Sequence, residues 1–287
     1  MSKLSDLLIR EMRKADLAFA AECTAAEGWP SENLSTLEGF FLYDSHGCFI
    51  SEMNGRPVGT CIATSYGKSG FIGELIVLPE VRGRGVGAKL LNHGIQSLHQ
   101  RGTEAIYLDG VLKAVDLYER NGFRKVTRSW RFSGYLTGKQ DRRVRRMSID
   151  DLDQVRALDR SYFGADRGFF LKRRFQLFPE LSFVMTDGDE LLGFIQGCSG
   201  PGWLSAGPWV VREGVERLES LLTAIALQAG DKPIGLGILD ANHEAVDLVR
   251  SWGFVERADS PWRMVWGSGG DLGASPGCYA VGSAAKG

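Results

Sequence analysis

The sequence predicts an α/β fold, more closely an α+β arrangement in which a mixed sheet carries helices on its faces, built twice in tandem. Three observations favour this prediction. The chain has 287 residues, which suits two domains better than one. Strand and helix patterns alternate along its first half. Several segments of the first half recur in the second at a nearly constant distance.

The apolar spacing of the first 137 residues predicts a definite order of elements. CFISEMNG and RPVGTCIATSYG are joined through the turn signal NGRP, which predicts an antiparallel hairpin. The other strands are predicted at LLIREM, GFIGELIVL, AIYLDGV and FRKVTRSWRFSGYL. The helices are predicted at ADLAFAAECTAAEGW, ENLSTLEGFFLYD, VGAKLLNHGIQSLHQRG and KAVDLYERNG. Antiparallel strands followed by a strand, loop, helix and strand crossover make a mixed sheet.

The recurring segments indicate a duplicated unit. AVDLYERNGF (114–123) and AVDLVRSWGF (245–254) are identical at six of ten positions, and two further pairs of segments share the offset of 131 to 135 residues. Those pairs are REMRKADL with RRMSIDDL and RPVGTCIA with ELLGFIQG. We therefore predict two domains, residues 1–137 and 138–287. The small residues of GSGGDLGASPG predict a mobile tail, in which CYAV is a candidate last strand.

Composition excludes several classes of function. The formal net charge of -1 gives no long-range attraction for nucleic acid or for an anionic membrane surface. No stretch is long and apolar enough to span a membrane, and the five cysteines form no CxxC pair. The four histidines are scattered, which argues against a metal site. These features predict a cytoplasmic monomer or homodimer whose partner is a small molecule.

The run RGRGVGAKL (82–90) is the strongest chemical signal. It does not fit a P-loop, because no Ser or Thr follows Lys89. Gly83, Gly85 and Ala88 satisfy the dinucleotide pattern GxGxxA, and Asp109 follows where a ribose-binding acid would stand. About 70 residues of antiparallel structure precede this run, however, whereas a dinucleotide unit normally opens its domain.

A third interpretation considers the surroundings together. GELIVLPEVRGRGVGAKLL, followed by YLD and AVDLYERNGF, resembles the acetyl-CoA binding region of the GNAT superfamily of N-acetyltransferases, and the likeness covers residues 1–137. It implies two GNAT-like domains in tandem, with acetyl-CoA as cofactor and CoA as product. The backbone of the glycine loop would hold the pyrophosphate at a helix N-terminus. The implied cofactor-binding residues are Ile76, Val77, Leu78, Arg82, Gly83, Arg84, Gly85, Val86 and Gly87.

The same resemblance assigns chemical roles. Glu74 is the candidate general base for the amine, and the backbone N–H of Val77 would polarise the thioester carbonyl. Tyr118 occupies the tyrosine position of the AxxxYxxxGF pattern and would face the departing thiolate. Each has a structural alternative, a surface carboxylate for Glu74 and a packed aromatic for Tyr118. Lys113 departs from the family pattern, which often has Asn there.

The second half lacks these groups. WVVREGVERLESLL replaces the glycine loop and would repel a pyrophosphate through Glu213, Glu216 and Glu219, while Val249 stands in the place of Tyr118. We expect this half to be degenerate and to form one wall of the acceptor site. Its candidate wall residues are Trp203, Trp209 and His243.

The predicted function is acetyl transfer from acetyl-CoA to a primary amine of a small metabolite by direct attack. Cys61 has no histidine partner that would support a covalent intermediate. Two alternatives remain open at this stage. One is an acyl-CoA sensor without catalysis, and the other is a nicotinamide-binding oxidoreductase that uses Asp109.

Overall fold

A computed structural model describes residues 7–270 and 272–287, in which helices lie between groups of one to three strands. The strands are β1 (Leu7–Glu11), β2 (Cys48–Met53), β3 (Arg56–Tyr66), β4 (Ser69–Val77), β5 (Ala105–Gly110), β6 (Arg124–Gly134), β7 (Val144–Arg146), β8 (Ser182–Asp187), β9 (Glu190–Gly200), β10 (Trp203–Val211), β11 (Ile234–Leu239), β12 (Val255–Glu256), β13 (Trp262–Gly267) and β14 (Cys278–Ala280). The α-helices are α1 (Leu17–Ala26), α2 (Leu34–Tyr43), α3 (Val86–Gln100), α4 (Val115–Arg120), α5 (Leu152–Phe163), α6 (Gly168–Leu177), α7 (Ser220–Ala229) and α8 (His243–Ser251).

Every strand and helix predicted for the first half is present, and the element order repeats in the second half. The duplication is also visible at one local detail. Arg10 pairs with Asp16 at 2.7 Å ahead of α1, and Arg145 pairs with Asp151 at 2.7 Å ahead of α5. The candidate last strand CYAV is confirmed as β14.

The prediction of a mobile tail is wrong. Leu272 is buried, and the backbone N–H of Gly273 donates to the carbonyl of Phe163. The small residues allow the segment to pack closely against the two halves, whereas composition alone suggested a solvated coil. Asp271 lies outside the described residues.

The strands form one continuous sheet in which the two halves exchange strands. The order is β1-β2-β3-β4-β5-β13-β6-β11-β10-β9-β8-β7, so β13 from the second half lies between β5 and β6 of the first. Residues 124–128 of β6 pair with β13, and residues 129–134 of the same strand pair with β11. The hydrogen-bonded sheet therefore runs across the predicted boundary after residue 137.

Each half has a main apolar core that packs on the sheet. In the first half, Leu90 and Leu91 of α3 pack with Ile106 of β5 and Met264 of β13. In the second half, α7 and α8 pack on β9, β10 and β11 around the fully buried Trp209. Because β13 contributes Met264 to the core of the first half, that core is complete only when both halves are folded.

A buried ion cluster fastens this strand exchange. The carboxylate of Asp109 on β5 accepts hydrogen bonds from Arg263 Nε on β13 and Arg131 Nη2 on β6, each at 2.6 Å, and from Ser129 Oγ at 2.9 Å. Burial alone would raise the pKa of Asp109, but Arg263 and Arg131 hold it below its ordinary value. The carboxylate therefore stays ionised and joins three strands that come from both halves.

We expect Asp109→Asn to lower the free energy of unfolding by about 3 kcal/mol, because a buried cation then loses its partner. The matched control Asp259→Asn breaks an exposed pair with Arg257 at 2.8 Å and should cost less than about 1 kcal/mol. Urea unfolding measures both. Since the pKa of Asp109 is depressed in the folded state, its contribution is present at neutral pH and is lost as the pH falls through that pKa. Equal losses in the two variants would contradict the role of the cluster.

Candidate active site

Strands β4 and β5 diverge and open a cleft in the sheet. They pair in parallel only over residues 69–71 and 105–107, although both strands continue further. The N–H of Leu78 donates to Val58 on β3 at 2.9 Å. Because successive residues of an antiparallel ladder point to opposite sides, the N–H of Val77 points away from β3, toward the cleft. A backbone donor thus faces the open side of the sheet, as the sequence predicts for the group that polarises a carbonyl.

The glycine loop follows β4 and leads directly into α3. Gly83 and Gly85 have φ of 75° and 81°, a conformation that side chains oppose, and Gly85 is the N-cap of α3. A Cβ on Gly83 would meet no protein atom within 4 Å, so this part of the loop faces open space. The unpaired N–H groups at the start of a 15-residue helix favour an anion there.

Two cations flank this loop and share one carboxylate. Glu27, just after α1, accepts from Arg82 Nη2 at 2.5 Å and from Lys113 Nζ at 2.6 Å. Burial works against ionisation of Glu27, but the hydrogen bonds from Lys113 and Arg82 lower its pKa. The side chain of Arg82 also donates to the carbonyl of Val77 at 2.8 Å, so it holds the loop against the end of β4. Lys113 therefore has a clear structural role in this chain.

A cavity of about 1060 Å³ joins the cleft, the glycine loop and the second half. Most of the predicted cofactor residues line it: Ile76, Val77, Arg82, Gly83, Gly85, Val86 and Gly87. Two do not. Leu78 packs in an apolar cluster with Val81 and Val86, and Arg84 is exposed on the loop. Both predicted catalytic residues, Glu74 and Tyr118, line the same cavity.

Glu74 lies at a bulge of β4 and is buried. Across the β3–β4 pair, Ile62 faces Gly73 while Thr60 faces Ile76, so Glu74 and Leu75 together oppose one residue. Glu74 has a φ of 50°, and its side chain is not the surface carboxylate of the alternative interpretation, since only 4% of the residue is exposed. Apart from the neighbouring carboxyl group of Glu32, neither carboxylate oxygen has a hydrogen-bond partner among the described residues. A buried carboxylate in this state has unused acceptor capacity.

A second carboxylate, Glu32, lies beside Glu74. Burial raises the pKa of Glu74 well above its usual range, and the negative charge of Glu32 raises it further, while Lys286 acts in the opposite direction. Glu32 is itself 6% exposed, and its Oε2 has no partner among the described residues. The carboxyl group of Glu74 therefore keeps its proton to a higher pH than an ordinary glutamate does.

Lys286 reaches this carboxylate pair from the end of the described chain. Its residue is 8% exposed, and its Nζ lies 4.7 Å from the ring centre of Phe40 and 5.6 Å from that of Phe170. The approach depends on Gly73, because a Cβ there would lie 2.6 Å from the Cβ of Ala285. The segment after β14 therefore packs directly against β4, next to Glu74.

Tyr118 faces the cavity from α4. It is 6% exposed, and its ring packs against Gly110 of β5, where a Cβ would come within about 3.0 Å of the ring. Burial raises the pKa of its phenol. The phenol therefore stays protonated at neutral pH and can donate a hydrogen bond into the cavity.

The wall contributed by the second half differs in part from the prediction. Trp203 lines the cavity, whereas Trp209 is fully buried and stacks on Tyr279 with the ring centres 5.1 Å apart. His243 is exposed and does not line it. The polar residues of the cavity that sequence reasoning missed include Glu32, Arg174, Cys198 and Lys286. No spacing signal could have found them, because they come from four segments that only the folded chain brings together.

The corresponding cleft of the second half is filled by the chain itself. Strands β10 and β11 pair only over residues 204–206 and 234–236, after which β14 pairs with β10. The N–H of Val281 then donates to Gly237 on β11 at 2.8 Å. Val249, at the position equivalent to Tyr118, is fully buried in the core. Among the described residues of this half, β14 and Val281 thus occupy the place that corresponds to the open cleft between β4 and β5.

The nicotinamide hypothesis is contradicted at Asp109. A ribose-binding acid must offer its carboxylate to the ligand. Asp109 instead has both oxygens engaged by Arg263, Arg131 and Ser129 in the buried ion cluster. The match of the glycine loop to GxGxxA therefore does not indicate a dinucleotide site.

Comparison with known families identifies two matching segments. Residues 8–123 match the model described as "Acetyltransferase (GNAT) family", and residues 155–272 match the model described as "Acetyltransferase (GNAT) domain". The two matches lie in tandem and together cover most of the chain. Among the described residues, none of the helices combines the length and apolar character that a membrane span needs.

Individual proteins resemble the chain in sequence or in fold. Holothin acyltransferase from a Pseudoalteromonas strain is 27% identical over 177 residues, which is 61% of this chain and 59% of that protein. Thialysine N-epsilon-acetyltransferase from Sus scrofa is 27% identical over 161 residues, 46% of this chain and 95% of that protein. The crystal structure of a candidate acetyltransferase from Pyrococcus horikoshii superposes with a TM-score of 0.82 at 22% identity, over 100% of this chain and 98% of that one.

Proposed function

Because the chain belongs to the GNAT acetyltransferase family, with two such domains in tandem, we propose that it transfers an acetyl group from acetyl-CoA to a primary amine of a small molecule. One observation carries the proposal. A single cavity contains the glycine loop, the cleft donor Val77, the buried acceptor Glu74 and the buried donor Tyr118. The relatives add support, since one of them is named for acetylation of an N-epsilon nitrogen.

The loop residues fit the diphosphate of CoA. The N-terminus of α3 offers N–H donors, and Gly83 and Gly85 keep the approach to the backbone free of side chains. Hydrogen bonds to charged oxygens contribute roughly 1.5–3 kcal/mol each. Residues 76 and 77 of β4 would hold the pantetheine arm along the cleft. Acetyl-CoA, when bound there, supplies the acetyl group as an activated thioester.

The residues of the cavity then divide the work of direct transfer. The carboxylate of Glu74 accepts a proton from the amine, which a protonated amine with a pKa near 10 requires before it can attack. The N–H of Val77 stabilises negative charge that develops on the carbonyl oxygen. The hydroxyl of Tyr118 donates a hydrogen bond to the departing sulfur. Since burial raises the pKa of this phenol, it acts as a hydrogen-bond donor more readily than as a full proton donor.

Direct attack is favoured over a covalent enzyme intermediate. Such an intermediate needs an activated nucleophile close to a base. Cys61 on β3 is fully buried, and burial raises the pKa of its thiol, which keeps it protonated and unreactive.

The first test is thermal stabilisation of the protein by acetyl-CoA, CoA and NAD, with Gly85→Glu as the variant. A ligand that binds the native state raises its stability, so both CoA forms should raise the melting temperature of the wild type and NAD should not. Glutamate at position 85 adds strain and a negative charge at the N-terminus of α3. We expect it to weaken CoA binding by at least tenfold, measured by calorimetric titration.

Gly67→Glu is the matched control, because Gly67 has the same φ of 81° but lies in the β3–β4 turn outside the cavity. It should retain CoA binding. Stabilisation by NAD alone, or equal loss in both variants, would refute the proposed cofactor site. Binding of CoA without thiol release from acetyl-CoA in the presence of any primary amine would favour the acyl-CoA sensor instead.

A further inference from the structure

The lining of the cavity carries charges of both signs in addition to the glycine loop. Glu32 and Glu74 line it, together with Arg174 of α6 and Lys286. Burial lowers the pKa of Lys286, the carboxylate of Glu32 raises it, and the positive charge of Arg174 lowers it, so these groups are close neighbours. The two carboxylates and the two cations form what we call the acceptor pocket.

Arg174 is held in place by neutral groups. Its Nη1 donates to the carbonyl of Gly207 at 2.6 Å and its Nη2 to the carbonyl of Gly282 at 2.9 Å, while the thiol of Cys198 lies 3.6 Å from Nη1. Carbonyl groups fix the plane of the guanidinium without neutralising its charge. Among the described residues, no carboxylate forms an ion pair with Arg174, although its neighbour Arg173 pairs with Glu38 at 3.0 Å.

Lys286 is also without a carboxylate within ion-pair distance among the described residues. Its Nζ rests over the rings of Phe40 and Phe170, and more than nine-tenths of the residue is buried. Burying a cation in an apolar surrounding costs free energy unless an opposite charge compensates it. Two such neighbouring cations make a site that an anionic group would stabilise.

The two carboxylates, in turn, have oxygens that lack hydrogen-bond donors. Both oxygens of Glu74 and one oxygen of Glu32 are buried, and among the described residues no donor outside this pair of carboxyl groups reaches them. An amine placed between them and the N–H of Val77 would satisfy these acceptors. The pocket therefore offers acceptors for an amine, together with two cations that form no ion pair among the described residues.

We propose that the acceptor is an amine that also bears a carboxylate, an amino acid in the broad sense, with its amine at Glu74 and its carboxylate at Arg174 and Lys286. This inference rests on the proposed function and names the class of its acceptor. The planar guanidinium of Arg174 suits a carboxylate, which it can bind through two parallel hydrogen bonds. The carboxylate of the acceptor takes no part in the chemistry and serves to orient the amine.

Acceptors that differ only in the carboxylate provide the test. Thiol release from acetyl-CoA is measured with lysine against cadaverine, ornithine against putrescine, and β-alanine against ethylamine. We expect kcat/KM to be at least tenfold higher for the acid of at least one pair. Thermal stabilisation of the CoA-loaded protein by the same compounds gives a second readout that needs no turnover.

Variants of Arg174 test whether the acceptor pocket causes the preference for acceptors that bear a carboxylate. Arg174→Gln should lower kcat/KM for the preferred acid about tenfold and leave that of its decarboxylated partner within twofold. Arg174→Lys keeps the charge and should recover part of the loss, which also guards against misfolding of the glutamine variant. Lys172→Gln is the control, because Lys172 lies exposed on the same helix and carries the same charge.

Two results would overturn the inference. One is equal use, or equal thermal stabilisation, of the acid and the decarboxylated amine in every pair. The other is a loss in Arg174→Gln that falls equally on both members of a pair. In either case binding of acetyl-CoA and transfer to decarboxylated amines would leave the proposed function intact. A protein that fails to bind acetyl-CoA would refute the function itself, so the two failures are distinguishable.

Discussion

Replacing Tyr118 with phenylalanine should lower kcat about a hundredfold while the affinity for CoA changes by less than threefold. The hydroxyl is the donor placed to stabilise charge on the departing sulfur, and such assistance is typically worth 10² to 10⁴ in rate. The substitution removes one oxygen atom from a buried ring and leaves its packing against Gly110 in place. Steady-state thiol release gives kcat, and calorimetric titration gives the affinity.

Tyr107→Phe is the matched control. Tyr107 is also buried, but its hydroxyl donates to the carbonyl of Gly270 at 2.6 Å, outside the cavity. This variant should lose stability and keep its kcat. A Tyr118→Phe enzyme with kcat within twofold of the wild type would mean that Tyr118 only packs against the sheet.

Replacing Glu74 with glutamine should lower kcat/KM by about two orders of magnitude, because an amide cannot accept the proton of the amine. Burial and the neighbouring Glu32 raise the pKa of Glu74, so its basic form becomes more abundant as the pH rises through that raised value. The wild-type kcat/KM should therefore increase with pH above the range in which an ordinary glutamate ionises. Glu80→Gln, an exposed substitution shortly after β4, should be neutral.

A Glu32→Gln variant distinguishes the pH dependence that comes from Glu74 from the pH dependence that comes from ionisation of the amine. Removing the neighbouring negative charge lowers the pKa of Glu74. The ratio of kcat/KM in the variant to that in the wild type, in which the contribution of the amine cancels, should be higher at acidic pH than at alkaline pH. A ratio that does not depend on pH would show that Glu74 does not accept the proton of the amine.

The sequence predicts the parts of this site that lie within one continuous segment. Residues 74–87 run through β4, the glycine loop and the start of α3. The spacing of the residues within this segment is sufficient to predict the cofactor site. The helix that bears Tyr118 is predicted equally well, because AVDLYERNGF has a clear helical period and an end at Gly122. Local conformation and short-range spacing are sufficient for these features.

The acceptor pocket could not be predicted, because its residues are brought together only by tertiary structure. Arg174 lies on α6, and Lys286 lies beyond β14 in a segment whose small residues suggest a coil. The partners of Asp109 were missed for the same reason, since Arg263 lies 154 residues away. Composition and periodicity describe neighbours along the chain and give no information on such pairs.

The exchange of β13 has a consequence for biosynthesis. When a ribosome has released the first half of the chain, β5 and β6 still lack the strand that separates them, because residues 262–267 are not yet made. The nascent chain then exposes an unpaired strand edge, which is prone to pair with other chains. The glycine loop and Tyr118 emerge early, but the sheet that positions them closes only after residues 262–267 have been made. Chaperone demand should therefore be highest between the synthesis of β6 and that of β13.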